Sequence, residues 1–402
     1  MQLINNKNTI TLAGNLKSLS KVNEIFNPLT IDFLDSLSKE ILKDKSANKY
    51  SDLISLAFWI RKKNIVLLKK KYDEKYLRVG IGTAFHITPA NVALNFAYSF
   101  VMSILSGNSN IIRVSNVEFT QKKIFFRILN KVLNIKKFRT INDTNKFISY
   151  EHSSSDDITK YFSSICDCRI IWGSDKTVNL VKKYDTKATC KEIIFSDKYS
   201  ISIVNLNYLK KLNKKKIKDL SRKFYLDSLL FDQNACTSPH LILWYGKQDK
   251  NSYEYFWSNL NSSIKNGNIF ETNEKNMIDR YSKFCEFAAK RKEIDSAFKD
   301  NYVFRTKLKT IPKDIYNFRV GYGYYFEYFL RDFDEIKRYI SPKIQTLTYA
   351  GFKVSQIKKM ITNLKANGID RAVPFGRALE FSEVWDGYDL PRVFSKIVDI
   401  KK

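Results

Sequence analysis

Gly82-Thr83-Ala84-Phe85-His86-Ile87-Thr88-Pro89-Ala90-Asn91 leads into an apolar run, Val92 to Leu105, which ends at Gly107-Asn108-Ser109-Asn110-Ile111-Ile112-Arg113-Val114-Ser115. The pattern predicts a strand over Leu77 to Ile81, a helix over Val92 to Ser106 and a strand over Asn110 to Val114. Gly107 stands where a helix stops. The apolar run holds Asn95 and Ser99 and is too short for a membrane span, so it reads as a buried helix.

The alternation continues outward from this unit. Phe119 to Leu133, Asp156 to Ile165 and Thr177 to Tyr184 read as helices, and Lys146 to Tyr150, Arg169 to Trp172 and Ser200 to Val204 as strands. Strands alternating with helices imply a parallel sheet covered on both faces, a doubly wound α/β domain. Upstream, Ile31 to Ile41 and Leu53 to Leu68 carry apolar residues at helical spacing. Downstream, Leu220 to Phe231, Tyr253 to Ile264 and Asn276 to Ala297 read as helices, and Leu241 to Trp244 and Tyr324 to Leu330 as strands. The expected organisation is a helical arm over 1–75 packed on a dinucleotide-binding domain over 76–205. A catalytic α/β domain over 206–350 and a C-terminal segment over 351–402 complete the fold.

Composition narrows the function classes. The chain has 402 residues with 44% hydrophobic content, enough for two domains with real cores. The net charge of +28 invites a nucleic-acid reading. The lysines are scattered, however, and accompany a bias to Asn, Ile, Tyr and Phe that fits an AT-rich genome. Runs such as Lys69-Lys70-Lys71 and Lys214-Lys215-Lys216 read as solvated faces. Five cysteines at irregular spacing imply no disulfide framework and favour a reducing cytoplasm. Cys166 and Cys168 are too close for the usual zinc spacing, and with only three histidines no metal site is expected. Met1 to Gly14 lacks a charged-then-apolar signal pattern.

Several residues are placed to do chemistry. Cys236 lies in Phe231-Asp232-Gln233-Asn234-Ala235-Cys236-Thr237-Ser238-Pro239, a polar break whose small neighbours leave a thiol reachable. A thiol is the strongest protein nucleophile at neutral pH once its pKa falls, and a helical turn beginning at Asn234 would lower it. Asn91 follows a strand and a turn. It reads either as a carboxamide donor to an oxyanion or as a plain helix cap. Arg113 ends a strand where a parallel sheet binds nucleotides. Three residues on, Asn116 stands where a carboxylate would repel a 2′-phosphate, which permits NADP. Gly173-Ser174, between a strand and a helix, is a weak phosphate-cradle signal, and no G-x-G-x-x-G occurs. His240 is in range to move a proton for Cys236 or is structural, and His86 reads as a hydrogen-bonded core histidine.

Taken in order over residues 76–402, these segments resemble the aldehyde dehydrogenase superfamily, and within it the LuxC-type long-chain acyl-CoA reductases. The His86-Ile87-Thr88-Pro89-Ala90-Asn91-Val92 turn is similar to the Pro-x-Asn segment whose Asn serves the oxyanion hole. Gly107 to Ser115 is similar to the Gly-Asn…Lys-Pro-Ser strand, with Arg113 at the adenosine-contacting lysine and Ser115 at its serine. Gly173-Ser174 looks like the phosphate-binding Gly-Ser turn, and Gln233-Asn234-Ala235-Cys236 like the Gly-Gln-x-Cys nucleophile segment. Gly368 to Gly376 and Trp385-Asp386-Gly387 are similar to segments of the LuxC-type branch.

The departures carry information too. Oxidising members have Glu-Leu-Gly-Gly-Lys where this chain has Ile194-Phe195-Ser196-Asp197-Lys198, so the position of the water-activating Glu falls on Ile194. The Glu-x-Phe-Gly-Pro segment is not recognisable. The resemblance implies NADPH-dependent reduction of a fatty acyl thioester, on CoA or a protein, to the aldehyde through S-acyl-Cys236. It also implies a possible acyl-activating synthetase partner and a possible homo-oligomer. The rival readings are a cysteine acyltransferase or thioesterase without a nicotinamide, and, more weakly, a basic nucleic-acid binder.

Overall fold

The computed structural model describes residues 9–19, 21–72, 76–150, 156–247, 249–266, 274–300, 302–365 and 367–401. The first eight residues of the stretch read for a signal pattern, and His152, lie outside them. The chain forms two compact units: Met1–Ser196 with Phe381–Lys402, and Asp197–Glu380.

The first unit is built on a six-stranded sheet. Its strands are β1 (Ile10–Ala13), β3 (Thr83–Ile87), β4 (Ser109–Val114), β5 (Asn145–Ser149), β6 (Cys168–Trp172) and β7 (Lys191–Phe195); β2 (Leu77–Gly80) lies outside it. The order is β1-β5-β4-β3-β6-β7, parallel throughout except for β1. The sheet strand before the long helix is therefore β3, not Leu77 to Ile81. All five residues of β3 are buried, as a central parallel strand requires.

The helix itself runs Asn95–Leu105 and ends at Gly107, whose φ of +87° leaves no room for a side chain. A Cβ there would sit 2.1 Å from the Asn23 carbonyl. Ten of the helix's eleven residues are buried, which explains the unbroken apolar run. Its outer face is covered by the N-terminal helices Pro28–Lys43, Ser51–Trp59 and Lys62–Lys69. Phe33 meets Phe100 edge-on, and Trp59 stacks on Tyr98. The single helix expected over Leu53 to Leu68 is two helices, because Arg61 adopts an extended conformation between them.

The second unit holds a seven-stranded sheet of β8 (Tyr199–Asn205), β9 (Pro239–Tyr245), β10 (Ile294–Lys299), β11 (Phe304–Leu308), β12 (Tyr324–Leu330), β13 (Ile344–Ala350) and β14 (Arg371–Pro374). Its order is β10-β11-β12-β9-β8-β13-β14, with only the β10–β11 pair antiparallel. Ser200 to Val204, expected to close the first set, lies at the heart of this second sheet between β9 and β13. The helix expected over Asn276 to Ala297 stops at Lys290, and β10 takes up its tail by pairing with β11.

The C-terminal residues return to the first unit. There β15 (Val384–Trp385) pairs with β16 (Tyr388–Asp389), and β17 (Ser395–Val398) pairs with β2. Leu390 and Phe394 are fully buried beside Trp172 and Phe195, whose rings stack at 3.7 Å.

Candidate functional site

In the first unit, the chain leaves β3 to build β4 and β5 on one side and β6 and β7 on the other. The connections diverge between β3 and β6, and a crevice opens outside the carboxyl ends of strands at such a point. β3 runs out into Thr88-Pro89-Ala90-Asn91, β6 into Gly173-Ser174, and β4 ends at Arg113 and Val114. The topology thus brings three of the motifs singled out in the sequence to one sheet edge.

Thr88 fixes this edge by donating its hydroxyl to the Arg113 carbonyl at 2.7 Å. Asn91 is exposed. The N-cap of the following helix is Leu94, so capping is not the task of Asn91. Arg113 is 8% exposed and folds back along the edge, donating weakly to the carbonyls of Thr88 (3.5 Å) and Tyr150 (3.4 Å) and lying over the Tyr150 ring. Its Nε has no partner, and no described carboxylate pairs with it. A buried guanidinium compensated only by carbonyls and a ring suits an incoming anion or polyol. Burial lowers its pKa from the ordinary value.

Ser115 accepts from the Val117 amide at 3.2 Å, and the buried Lys122 ammonium ties the Ser115 and Val117 carbonyls at 3.0 and 2.6 Å. The Asn116 side chain accepts from the Ser149 hydroxyl. Gly173 donates its N–H to Phe195, and a Cβ on it would press on Thr177 at 3.0 Å. Ser174 caps the short helix Asp175–Val181 through the Thr177 amide at 3.2 Å.

His86 is a core residue. The Trp172 indole donates to Ser99 Oγ (3.0 Å), which lies 2.8 Å from His86 Nδ1, while His86 Nε2 lies 3.0 Å from Asn110 Oδ1. Asn110 spends its amide hydrogens on the Asn108 carbonyl and Asn145 Oδ1. Its oxygen must therefore accept, which puts the imidazole proton on Nε2 and makes Nδ1 the acceptor of the Ser99 hydroxyl. Burial pulls the imidazole pKa down from 6.5 to about 4. A base depressed by folding adds stability that is full above pH 6.5 and is lost as the pH falls towards 4, by roughly 3 kcal/mol for this shift. The ring-carbon NMR resonance of His86 is expected to stay at its neutral position down to about pH 4. Titration near pH 6.5 would contradict this placement.

In the second unit, Cys236 sits in the loop between the helix Lys214–Leu229 and β9. Asn234 to Thr237 does not begin the helical turn that would have lowered the thiol pKa. Ser238 N–H bonds back to the Ala235 carbonyl, closing a turn that feeds straight into β9. No helix starts within this loop. The loop is pinned instead by side chains that sequence reasoning had not assigned. Gln233, 1% exposed, donates to the carbonyls of Pro239 (2.9 Å) and Tyr324 (3.0 Å) and accepts from Gly323 N–H (3.0 Å). Asp232 and Gln233 both adopt positive φ to make this turn. Ser200 Oγ, at the start of β8, donates to the Cys236 carbonyl at 2.6 Å and accepts from Thr346 N–H.

Cys236 is half-buried, and the Gln345 amide reaches its sulfur at 3.4 Å. An N–H donor to sulfur favours the thiolate. Cys236 lies at the amino edge of this sheet, beside the first residues of β8, β9 and β13, whereas Arg113 and Gly173 lie at the carboxyl edge of theirs. His240 is 2% exposed on β9 and stacks on Tyr199, and neither of its ring nitrogens has a partner. Burial, with Arg319 adding to it, holds its pKa well below 6.5. The structure does not bring it into hydrogen bonding with Cys236. Among the described residues no group of three His, Cys, Asp or Glu is arranged to hold a metal, and no helix is long and apolar enough to cross a membrane.

Comparison with known proteins agrees with this architecture. Lactaldehyde dehydrogenase from Escherichia coli superposes with a TM-score of 0.63 at 11% identity, covering 92% of this chain and 85% of that one. A 1-pyrroline-5-carboxylate dehydrogenase from Thermus with bound NAD gives 0.66 at 10% identity, covering 92% and 80%. A glyceraldehyde-3-phosphate dehydrogenase from Methanocaldococcus jannaschii complexed with NADP gives 0.60 at 13%, covering 92% and 88%. The fold is thus that of the aldehyde dehydrogenases. No curated protein matches the chain significantly by sequence. The family model of the acyl-CoA reductases (LuxC) matches residues 63–394. The chain belongs to the LuxC acyl-CoA reductase family and is, as a member of it, an oxidoreductase.

Proposed function

We propose that the protein reduces a fatty acyl thioester, carried by CoA or by a protein, to the aldehyde, with NADPH as reductant and S-acyl-Cys236 as intermediate. The observation that carries this reading is the setting of Cys236, a reachable thiol with an amide donor at its sulfur, on a loop fixed by Gln233 and Ser200. The Cys236 thiolate attacks the thioester carbonyl, and its own backbone N–H holds the developing oxyanion, with Asn91 the carboxamide donor that the family resemblance implies. The carrier leaves as its thiolate and takes up a proton from solvent. A glutamate that would activate water is replaced by Ile194, whose side chain packs against the apolar cluster around Phe85 and Ile171. The acyl-enzyme therefore resists hydrolysis.

The residues fit a dinucleotide. Arg113, with its unpartnered Nε, Ser115, Gly173 and Ser174 would hold it in the first unit, in keeping with a cofactor domain joined to a nucleophile domain. The bound reduced nicotinamide supplies the hydride. Asn116, uncharged beside Ser115, tolerates a 2′-phosphate and so permits NADPH. NAD and NADP both occur among the structural neighbours.

The test is to follow reduced-nicotinamide absorbance with acyl-CoAs of graded chain length. NADPH consumption matched by aldehyde is expected. Acyl transfer or hydrolysis without NADPH consumption would establish the nicotinamide-free alternative. Arg113→Met is expected to weaken NADPH binding about tenfold or more, measured by fluorescence titration, because a charged contact contributes about 1.5–3 kcal/mol. Unchanged affinity would remove Arg113 from the cofactor site.

A further inference from the structure

Outside the site described above, two cysteines meet. Cys166 follows the helix Asp156–Ile165, and Cys190 directly precedes β7. The adjacent parallel strands β6 and β7 bring them to the amino edge of the first sheet, with their sulfurs 3.8 Å apart. This is the edge opposite Arg113 and Gly173. Cys166 is fully buried and contacts the Ser163 carbonyl at 3.3 Å, whereas Cys190 is partly exposed. Behind them lies Arg169, 1% exposed, its guanidinium fixed by Glu192 at 2.9 Å and by the Tyr184 carbonyl at 2.9 Å.

We infer that Cys166 and Cys190 form a peroxide-oxidisable dithiol, with Cys190 as the attacking thiol and Cys166 as the resolving one. The two sulfurs are in contact and Arg169 lies near them; the contact with Cys166 lowers the Cys190 pKa from its ordinary value, while that contact and burial raise the pKa of Cys166. A low-pKa, accessible thiol beside a resolving thiol is the arrangement of a redox sensor. The Cys190 thiolate attacks one peroxide oxygen, the O–O bond breaks, and the departing hydroxide takes a proton to become water. Cys190 is then a sulfenic acid. The Cys166 sulfur displaces its hydroxyl, so an S–S bond forms, the S–O bond breaks and a second water leaves with the thiol proton. Two thiols have supplied two electrons to one peroxide. The sulfurs, 3.8 Å apart, have to close to about 2 Å for the bond to form.

The test uses the full chain, reduced and freed of reductant, then treated with hydrogen peroxide, alkylated and digested without reduction. A peptide linking Cys166 to Cys190 is expected to accumulate at least tenfold faster than oxidation of the exposed Cys285, and to vanish with dithiothreitol. C190S is expected to give no link. C166A is expected to drive Cys190 on to the sulfinic acid, and if that variant does not fold, the wild-type rates and C190S decide. A linked peptide absent from the wild type, or Cys190 oxidised no faster than Cys285, would overturn the inference.

Discussion

Cys236→Ala is expected to lower turnover by at least about a thousandfold, the scale seen when a covalent nucleophile is removed. Stability is expected to change by less than about 1 kcal/mol, because the residue is only half-buried and the loop is held by other groups. Cys236→Ser should be as inactive, since a hydroxyl is not ionised at neutral pH even with the Gln345 amide beside it. Both variants should still bind NADPH with unchanged affinity, which separates loss of the nucleophile from loss of the fold. Turnover above a tenth of the wild-type rate in either variant would mean that another group carries the acyl chain.

Glu327→Ala is expected to be the most damaging single change to the second unit. Glu327 is fully buried on β12 and takes hydrogen bonds from the Trp244 indole (2.9 Å), the Trp257 indole (3.0 Å) and the Tyr253 hydroxyl (2.8 Å). Arg305 lies 3.9 Å away and donates to the same Tyr253 oxygen at 3.1 Å. Burial raises the Glu327 pKa above the usual carboxylate range against the pull of Arg305 and the three donors. Truncation strands these donors and leaves Arg305 without its buried counter-charge. Breaking a buried pair from one side costs about 3–5 kcal/mol. Urea unfolding should show a loss of that size with an unchanged slope. Glu327→Gln keeps one acceptor oxygen and should lose about half as much. A cost below about 1 kcal/mol for the alanine variant would show that the network is not closed on this carboxylate.

Much of the first unit was legible because its signals are local. The strand end at Ile87, the buried helix and the stop at Gly107 lie within one short stretch, and parallel pairing follows from the alternation. Even there, the sheet strand was placed one segment early, because Leu77–Gly80 is equally strand-like and finds its partner more than 300 residues away in Ser395–Val398. The switch point between β3 and β6 then explains why Arg113, Asn91 and Gly173 come to one sheet edge.

The second unit was harder to read. Tyr199–Asn205 has no feature assigning it to one sheet over the other, and only pairing with β9 and β13 decides. Cys236 stood out by its small polar neighbours, yet the groups that hold it come from distant strands. Gln345 lies 109 residues downstream, and nothing in its surroundings marks it. Glu327 did leave a trace, a lone acid inside the aromatic run Tyr324-Tyr325-Phe326-Glu327-Tyr328-Phe329, though not of its partners. His240 read by spacing either as a proton mover for Cys236 or as a structural residue. Strand geometry buries it against Tyr199, the structural of the two readings.

The most direct test of the account is to mix the intact protein with a long-chain acyl-CoA without nicotinamide and map the adduct by mass spectrometry. One acyl group on the peptide containing Cys236 is predicted, labile to hydroxylamine and discharged as aldehyde when NADPH is added. Aldehyde formation with no acylated Cys236, or an acyl group fixed on a different residue, would contradict it.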